Sequence, residues 1–249
     1  MSLSALIKVV GPMGYYLNLC KKLKINPRPV NIPVFGLIRT DHEVRNLCDN
    51  FAKGVLRDEK VERELIQKNA PCIIDCGVNV GITIRWWLSL NKNARVYGVD
   101  MLEETHQFTR DALRVGWMGP ERYFSITAAL WSTPGKTFTI DVQDPLWGDN
   151  NLFQKKGDAK HERTFVSQTL DEIFANEPIE TVDLLKIDLE GAGAEALKGA
   201  TELLKKTKQV VFENHGEEES KEASAVLVRN GFGVRKVGER QHLWWEKVA

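Results

Sequence analysis

Apolar and polar positions change period repeatedly along this chain, and each period predicts an element. Residues 41–53 carry Val44, Leu47, Cys48 and Phe51 at helical spacing, with Asp41 as the expected N-cap. From residue 71 short apolar runs alternate with amphipathic stretches. Strands are predicted at 72–76, 95–99, 124–130, 182–188 and 209–213, with helices at 83–90, 103–115, 169–175, 194–205 and 217–229. Pro134-Gly135 predicts a turn into 137–142 and a local hairpin; 144–162 is polar, turn-rich and without period. Two further strands, 233–237 and 242–246, close the chain. Alternating β and α elements imply an α/β fold, a mostly parallel sheet with helices on both faces. Ligands of such sheets sit beyond the carboxyl ends of the strands, where strand order reverses.

The segment upstream reads differently. Pro27, Pro29 and Pro33 mark an extended stretch, and Gly11-Pro12 breaks the mildly apolar opening. Residues 1–70 are therefore expected to form a lid or buttress on a domain spanning 71–249. The opening lacks a basic leader region and a small-residue cleavage site, and no run is long enough to cross a bilayer. A cytoplasmic protein with at most loose membrane-surface contact is expected.

Composition narrows the partners. The 249 residues hold 34 Lys+Arg against 34 Asp+Glu, a formal net charge of zero, which lacks the electrostatic footprint of a protein gripping nucleic-acid phosphates. Cys20, Cys48, Cys72 and Cys76 form no C-x-x-C pair and are expected to be reduced core residues.

Two constellations carry chemistry. The first, Asp75-Cys-Gly77-Val-Asn79-Val-Gly81, lies between a strand and a helix. Glycine, and Asn79 in its place, permits the left-handed backbone that brings a ligand close to the main chain. A dinucleotide fingerprint would require a further glycine where Ile82 stands, so the loop fits a nucleoside ligand without pyrophosphate, such as S-adenosylmethionine, better than NAD. Asp100 ends the second strand, where an acid can accept hydrogen bonds from ribose hydroxyls.

The second is Lys186-Ile-Asp188-Leu-Glu190-Gly191, in which strand alternation puts Lys186, Asp188 and Glu190 on one side. Glu213 and His215 share a face on the next strand. Such a polar cluster at a sheet edge suits general acid–base work, with Asp188 or His215 as base and Lys186 tuning the carboxylates. A structural ion-pair network around Lys186 is the competing reading. The carboxylates of Asp188, Glu190 and Glu213 also offer oxygen ligands to a divalent cation, but the spacing singles out no metal set and none is assigned. Trp131 and Trp147 bracket the irregular segment and could stack on a sugar ring, whereas Trp86, Trp87, Trp244 and Trp245 read as core or interface.

Together, Asp75-x-Gly77-x-Asn79-x-Gly81 and Leu185-Lys186-Ile187-Asp188-Leu189-Glu190-Gly191 resemble the FkbM-type methyltransferases. Ala128-Ala129-Leu130 with Gly135, Thr169-Leu170-Asp171, Leu197-Lys198-Gly199-Ala200, Glu213 with His215, and Leu37-Ile38-Arg39-Thr40-Asp41 add to the likeness. The resemblance implies a Rossmann-like class I methyltransferase fold with a seven-stranded sheet, and S-adenosylmethionine-dependent methylation of hydroxyl oxygens on sugars or small natural products. It implies that Asp75, Gly77, Asn79 and Gly81 line the methionine end of the cofactor, that Asp100 and Met101 lie at the ribose, and that Ala128 or Ala129 lies near the adenine. The chain departs from the family pattern twice: Gly193 replaces the second acid of Glu-Gly-x-Glu, and Met101 replaces the proline after Asp100. A nucleic-acid methyltransferase and a non-catalytic cofactor-binding protein are the competing functions.

Overall fold

A computed structural model describes residues 3–52, 55–153, 160–237 and 242–248. The chain opens with two helices, α1 (Leu3–Val10) and α2 (Met13–Leu23), and a small hairpin, β1 (Val30–Ile32) with β2 (Gly36–Ile38). Helices α3 (Asp41–Leu47) and α4 (Glu59–Gln67) follow. Thr40, not Asp41, caps α3, because its hydroxyl accepts from Glu43 N while the Glu43 carboxylate accepts from Thr40 N. Beyond Leu47 the helix widens into a π turn over Cys48–Ala52, and Lys53, the expected last helical residue, lies outside the described residues.

Alternation then begins with β3 (Cys72–Cys76), α5 (Ile82–Leu90), β4 (Arg95–Asp100), α6 (Glu103–Val115), β5 (Tyr123–Thr127) and the short β6 (Ala129–Leu130). After β7 (Thr137–Asp141) and β8 (Glu162–Gln168) come α7 (Leu170–Phe174), β9 (Leu184–Ile187), α8 (Gly193–Lys198) and α9 (Thr201–Lys206). The chain closes with β10 (Gln209–Glu213), α10 (Glu217–Arg229), β11 (Phe232–Val237) and β12 (His242–Lys247).

Among the described residues the main sheet has seven strands in the order β11-β12-β10-β9-β3-β4-β5. Neighbours from β10 to β5 are parallel, while β12 runs antiparallel to both β10 and β11. This is the expected Rossmann-like methyltransferase architecture. From β3 the chain winds outward to β5, and β9 restarts it on the other side, so strand order reverses between β3 and β9. Ile73, Val96, Leu184 and Val211 project to one face and join Leu6, Leu17, Phe35, Val44 and Leu47 in a core with Ile84 and Trp87. The segment upstream of residue 71 therefore shares a core with that face. Ile74, Tyr97, Leu185 and Val210 project to the other, against Leu170, Ala196, Leu204 and Leu227.

A buried ion pair fastens the upstream segment. Arg85 on α5 donates to Glu43 Oε1 at 2.6 Å and to the carbonyls of Phe35 and Leu37, and both charged side chains are fully buried.

Three local expectations are corrected. Strand β7 pairs not with a local partner but with β8, across a long connection, in a separate sheet of order β6-β8-β7. β8 was hidden because Glu162, Thr164 and Val166 face solvent, leaving an alternation that reads as polar loop. The expected helix 194–205 is two helices, parted at Gly199, where an added Cβ would lie 2.6 Å from the Trp131 carbonyl. The run 124–130 breaks at Ala128, whose N–H donates to the Asp100 carbonyl. Among the described residues no helix is long and apolar enough to cross a membrane.

Candidate active site

The site begins where β3 turns into α5. Gly77, Asn79 and Gly81 have φ of +86°, +52° and +69°, the left-handed region anticipated for the glycine turn. At Gly77 the close approach is severe: an added Cβ would lie 1.8 Å from the Asp188 carbonyl oxygen, so the ends of β3 and β9 touch only because no side chain intervenes. Asp100 holds the turn from β4, with Oδ2 accepting from Val78 N and Asn79 N and Oδ1 from Leu102 N. Burial raises its pKa against the pull of these backbone donors.

A cleft of about 680 Å³ opens beside this turn. Gly77, Asn79, Asp100, Met101, Ala128, Ala129, Asp188 and Glu190 line it, with Leu102 and Leu130 adding apolar wall. Trp147, Gly148, Asn150 and Asn151 roof it from the β7–β8 connection, the stretch whose sequence showed no period. Asn79 Oδ1 is buried with no hydrogen-bond partner among the described residues, an acceptor left over for a ligand. Two of the expected cofactor residues stand back from this cleft. Asp75 is fully buried and pairs with Lys186, while Gly81 packs where an added Cβ would lie 2.3 Å from the Thr109 hydroxyl.

Lys186 is the hub of the acidic cluster. Asp75 and Lys186 are directly opposite in the β3–β9 register. Lys186 Nζ lies 3.0 Å from Asp75 Oδ1 and 3.4 Å from Asp188 Oδ2, and donates to the Gly77 carbonyl at 2.9 Å. Burial alone would lower the lysine pKa, but the two aspartates outweigh it and hold the ammonium charged. Beyond Asp188 sits His215, with Nε2 3.4 Å from Asp188 Oδ1 and Nδ1 3.3 Å from Glu190 Oε2. Despite desolvation, these carboxylates raise His215 to about 9, so the ring is an imidazolium at neutral pH. Asp188, although burial opposes it, is held well below the usual carboxylate range by Lys186 and His215. Glu190 moves the other way: burial and the negative charges of Asp188 and Glu213 push it up to about 7.

Asp188, Glu213 and His215 each present an atom within 4.8 Å of the others, close enough to share a divalent cation. An imidazolium has no lone pair for a metal, so holding one requires His215 to lose a proton first.

A second cleft, of about 1000 Å³, meets the first at Asn79, Trp147, Gly148, Asp188 and Glu190. Its far wall comes from His42, Arg45, Asn46, Asp49 and Asn50 on α3 and the turn after it. His42 pairs with Asp144 at 3.0 Å and meets the Trp147 ring edge-on, joining the roof to α3. Sequence reasoning missed this wall, since helical spacing placed α3 but not what its polar face meets. Trp147 faces the clefts at 42% exposure, whereas Trp131 is buried against Phe138 and Phe153 and is unavailable for stacking on a sugar.

A family model described as Methyltransferase FkbM domain matches residues 75–234, and the chain belongs to that family. No curated protein matches it. Among solved structures, a methyltransferase FkbM from Methylobacillus flagellatus KT is 15% identical, with a TM-score of 0.48 over 83% of this chain and 55% of that one. This chain thus spans little more than half the length of that protein. A SAM-dependent O-methyltransferase from Thermotoga maritima is 13% identical over 90% of this chain and 78% of that one, with a TM-score of 0.49. Fibrillarin from Aeropyrum pernix, in complex with S-adenosyl-L-methionine, is 13% identical over 86% of this chain and 79% of that one, with a TM-score of 0.47.

Proposed function

We propose that this member of the FkbM methyltransferase family moves a methyl group from S-adenosylmethionine to a hydroxyl oxygen of a sugar, glycan or small natural product. Residues 71–249 would be the catalytic domain, and 1–70 an extension walling the acceptor side. The observation that carries the reading is the meeting of two clefts at Asn79, Asp188 and Glu190, one walled largely by apolar side chains and the other by polar ones.

The first cleft fits the cofactor. Gly77 keeps the backbone bare, and Asp100 Oδ1, with one backbone donor, retains a lone pair for a ribose hydroxyl. Met101, Leu102, Ala128 and Leu130 offer an apolar bed for a purine, and the unpartnered Asn79 Oδ1 suits an ammonium group. When bound, S-adenosylmethionine supplies an electrophilic methyl group on a sulfonium.

The chain's own groups must orient the acceptor hydroxyl, exclude water and take one proton. Glu190 suits the last task, because a base works best with its pKa near the working pH and burial has brought Glu190 to about 7. Asp188, held low, is too weak a base, and the charged His215 has no free lone pair. Asp188 and His215, expected as the base from sequence, are better suited to fixing and polarising Glu190. Lys186, with Asp75 behind it, anchors Asp188, and Glu213 adds negative charge that favours the imidazolium.

The amides of Asn46 and Asn50 and the Trp147 face suit a hydroxyl-rich acceptor. Asp49, Asp149, Glu190 and Glu213 around the same cleft oppose a polyanion, which disfavours nucleic acid. Incubation with methyl-labelled S-adenosylmethionine and panels of glycans, small alcohols, lipids and RNA tests the reading. Label on a glycan or small alcohol supports it; label on RNA alone, or cofactor binding without transfer to any acceptor, overturns it.

A further inference from the structure

Charge is balanced over the whole chain but not along it. Before Asp41 there is no acidic residue at all, while Lys8, Lys21, Lys22, Lys24, Arg28 and Arg39 give that stretch six positive charges. The same stretch carries an exposed apolar line along α2. Tyr15, Leu19 and Leu23 recur every four residues, with Ile25 just beyond, and are exposed by 62%, 53%, 58% and 49%. The opposite side of α2 is committed to the protein. Leu17 and Cys20 are buried, Gly14 packs on the Ile7 backbone, and Lys21 pairs with Asp49 at 3.1 Å. The helix is thus pinned with its apolar line outward. Lys22 and Lys24 border that line, exposed and with no ion pair among the described residues.

We propose that α2 is an interfacial helix that seats the protein on an anionic lipid surface, with Tyr15, Leu19, Leu23 and Ile25 entering the headgroup boundary and the flanking lysines meeting lipid charge. An apolar line edged by lysines and free of acids is the composition that such surfaces select. A second copy of the chain fits less well, because a self-complementary contact would set this stretch, with six positive charges and no acid, against an identical one. RNA fits poorly as well, since the line offers leucines and a single aromatic ring rather than a stacking platform. The inference does not depend on the methyl-transfer reading.

The test is co-sedimentation of the full chain with vesicles of phosphatidylcholine alone or with about one-third phosphatidylglycerol, at low and high salt. The expected result is binding at least about tenfold stronger to the anionic vesicles and weakened by salt. Leu19→Glu with Leu23→Glu should abolish it, and Lys22→Glu or Lys24→Glu should each weaken it by at least about fivefold. Melting temperature and cofactor binding should be unchanged in all these variants, because the side chains touch neither the core nor the clefts. Equal binding to both vesicle types, or equal binding by wild type and the double leucine variant, overturns the proposal. So does a concentration-dependent dimer that the leucine variants dissociate while vesicle binding is absent throughout.

Discussion

Glu190 Oε2 lies 3.3 Å from His215 Nδ1, and the two groups are pushed up to about 7 and about 9. Glu190 is accordingly the group that changes charge in the neutral range while its neighbour stays cationic.

Turnover should therefore rise with pH through a limb near 7, as Glu190 loses its proton. Glu190→Gln should remove that limb and lower kcat by roughly a hundredfold or more, with cofactor affinity nearly unchanged. A pH–rate profile of both proteins checks this; the same acid limb in the variant would exclude Glu190 as the base.

His215 has the opposite signature in stability. Its pKa is raised from 6.5 to about 9, so its contribution to the folded state is complete below 6.5 and is lost as pH climbs through about 9. The loss of melting temperature in His215→Ala should thus be larger near about pH 6 than near about pH 10. A pH-independent difference would mean that the ring acts by packing alone.

Gly77→Ala should disrupt the first cleft, since its Cβ would lie 1.8 Å from the Asp188 carbonyl oxygen at a φ of +86°. Gly135→Ala is the control: its φ of +81° is similar, but nothing lies within 4 Å of the added Cβ. The control should lose only about 1–2 kcal/mol from backbone strain. The Gly77 variant should lose more and also lose cofactor binding, read by urea denaturation and calorimetry.

Arg85→Ala should destabilise the fold by about 3–5 kcal/mol, because it leaves Glu43 charged and fully buried without its partner. Glu43→Gln should destabilise as well, since its amide oxygen can still accept from the backbone N–H groups of Arg39 and Thr40 but its NH2 then faces the buried Arg85 guanidinium. Denaturant midpoints at constant m-value measure both.

Asn46→Ala should raise the acceptor KM by about tenfold while leaving cofactor affinity unchanged, because Asn46 lines only the second cleft. Equal effects on both ligands would remove α3 from acceptor recognition.

Much of the fold was written locally. Helices α6 and α10 and strands β3 and β10 begin and end where the apolar period placed them, because each buries a complete stripe or run against a sheet. β8 escaped because its partner β7 lies across a long connection and Glu162, Thr164 and Val166 face solvent, and the expected 194–205 helix parts at Gly199, where the Trp131 carbonyl, remote in sequence, leaves no room for a side chain. Neither cause lies within the local window.

The site divides in the same way. Sequence alone determined that Lys186 and Asp188 share a face, that Gly77 and Asn79 turn left-handed, and that Glu213 ends the next strand, since side-chain alternation and backbone sterics act within a few residues, whereas His215 lies past the end of that strand. Only the tertiary structure decided that Asp75 faces Lys186 rather than the cleft, that His215 bridges Asp188 and Glu190, and that α3 walls the second cleft. Those depend on strand register and on docking of elements that the local sequence does not relate, and with them come the burial and paired charge that set which group can take a proton.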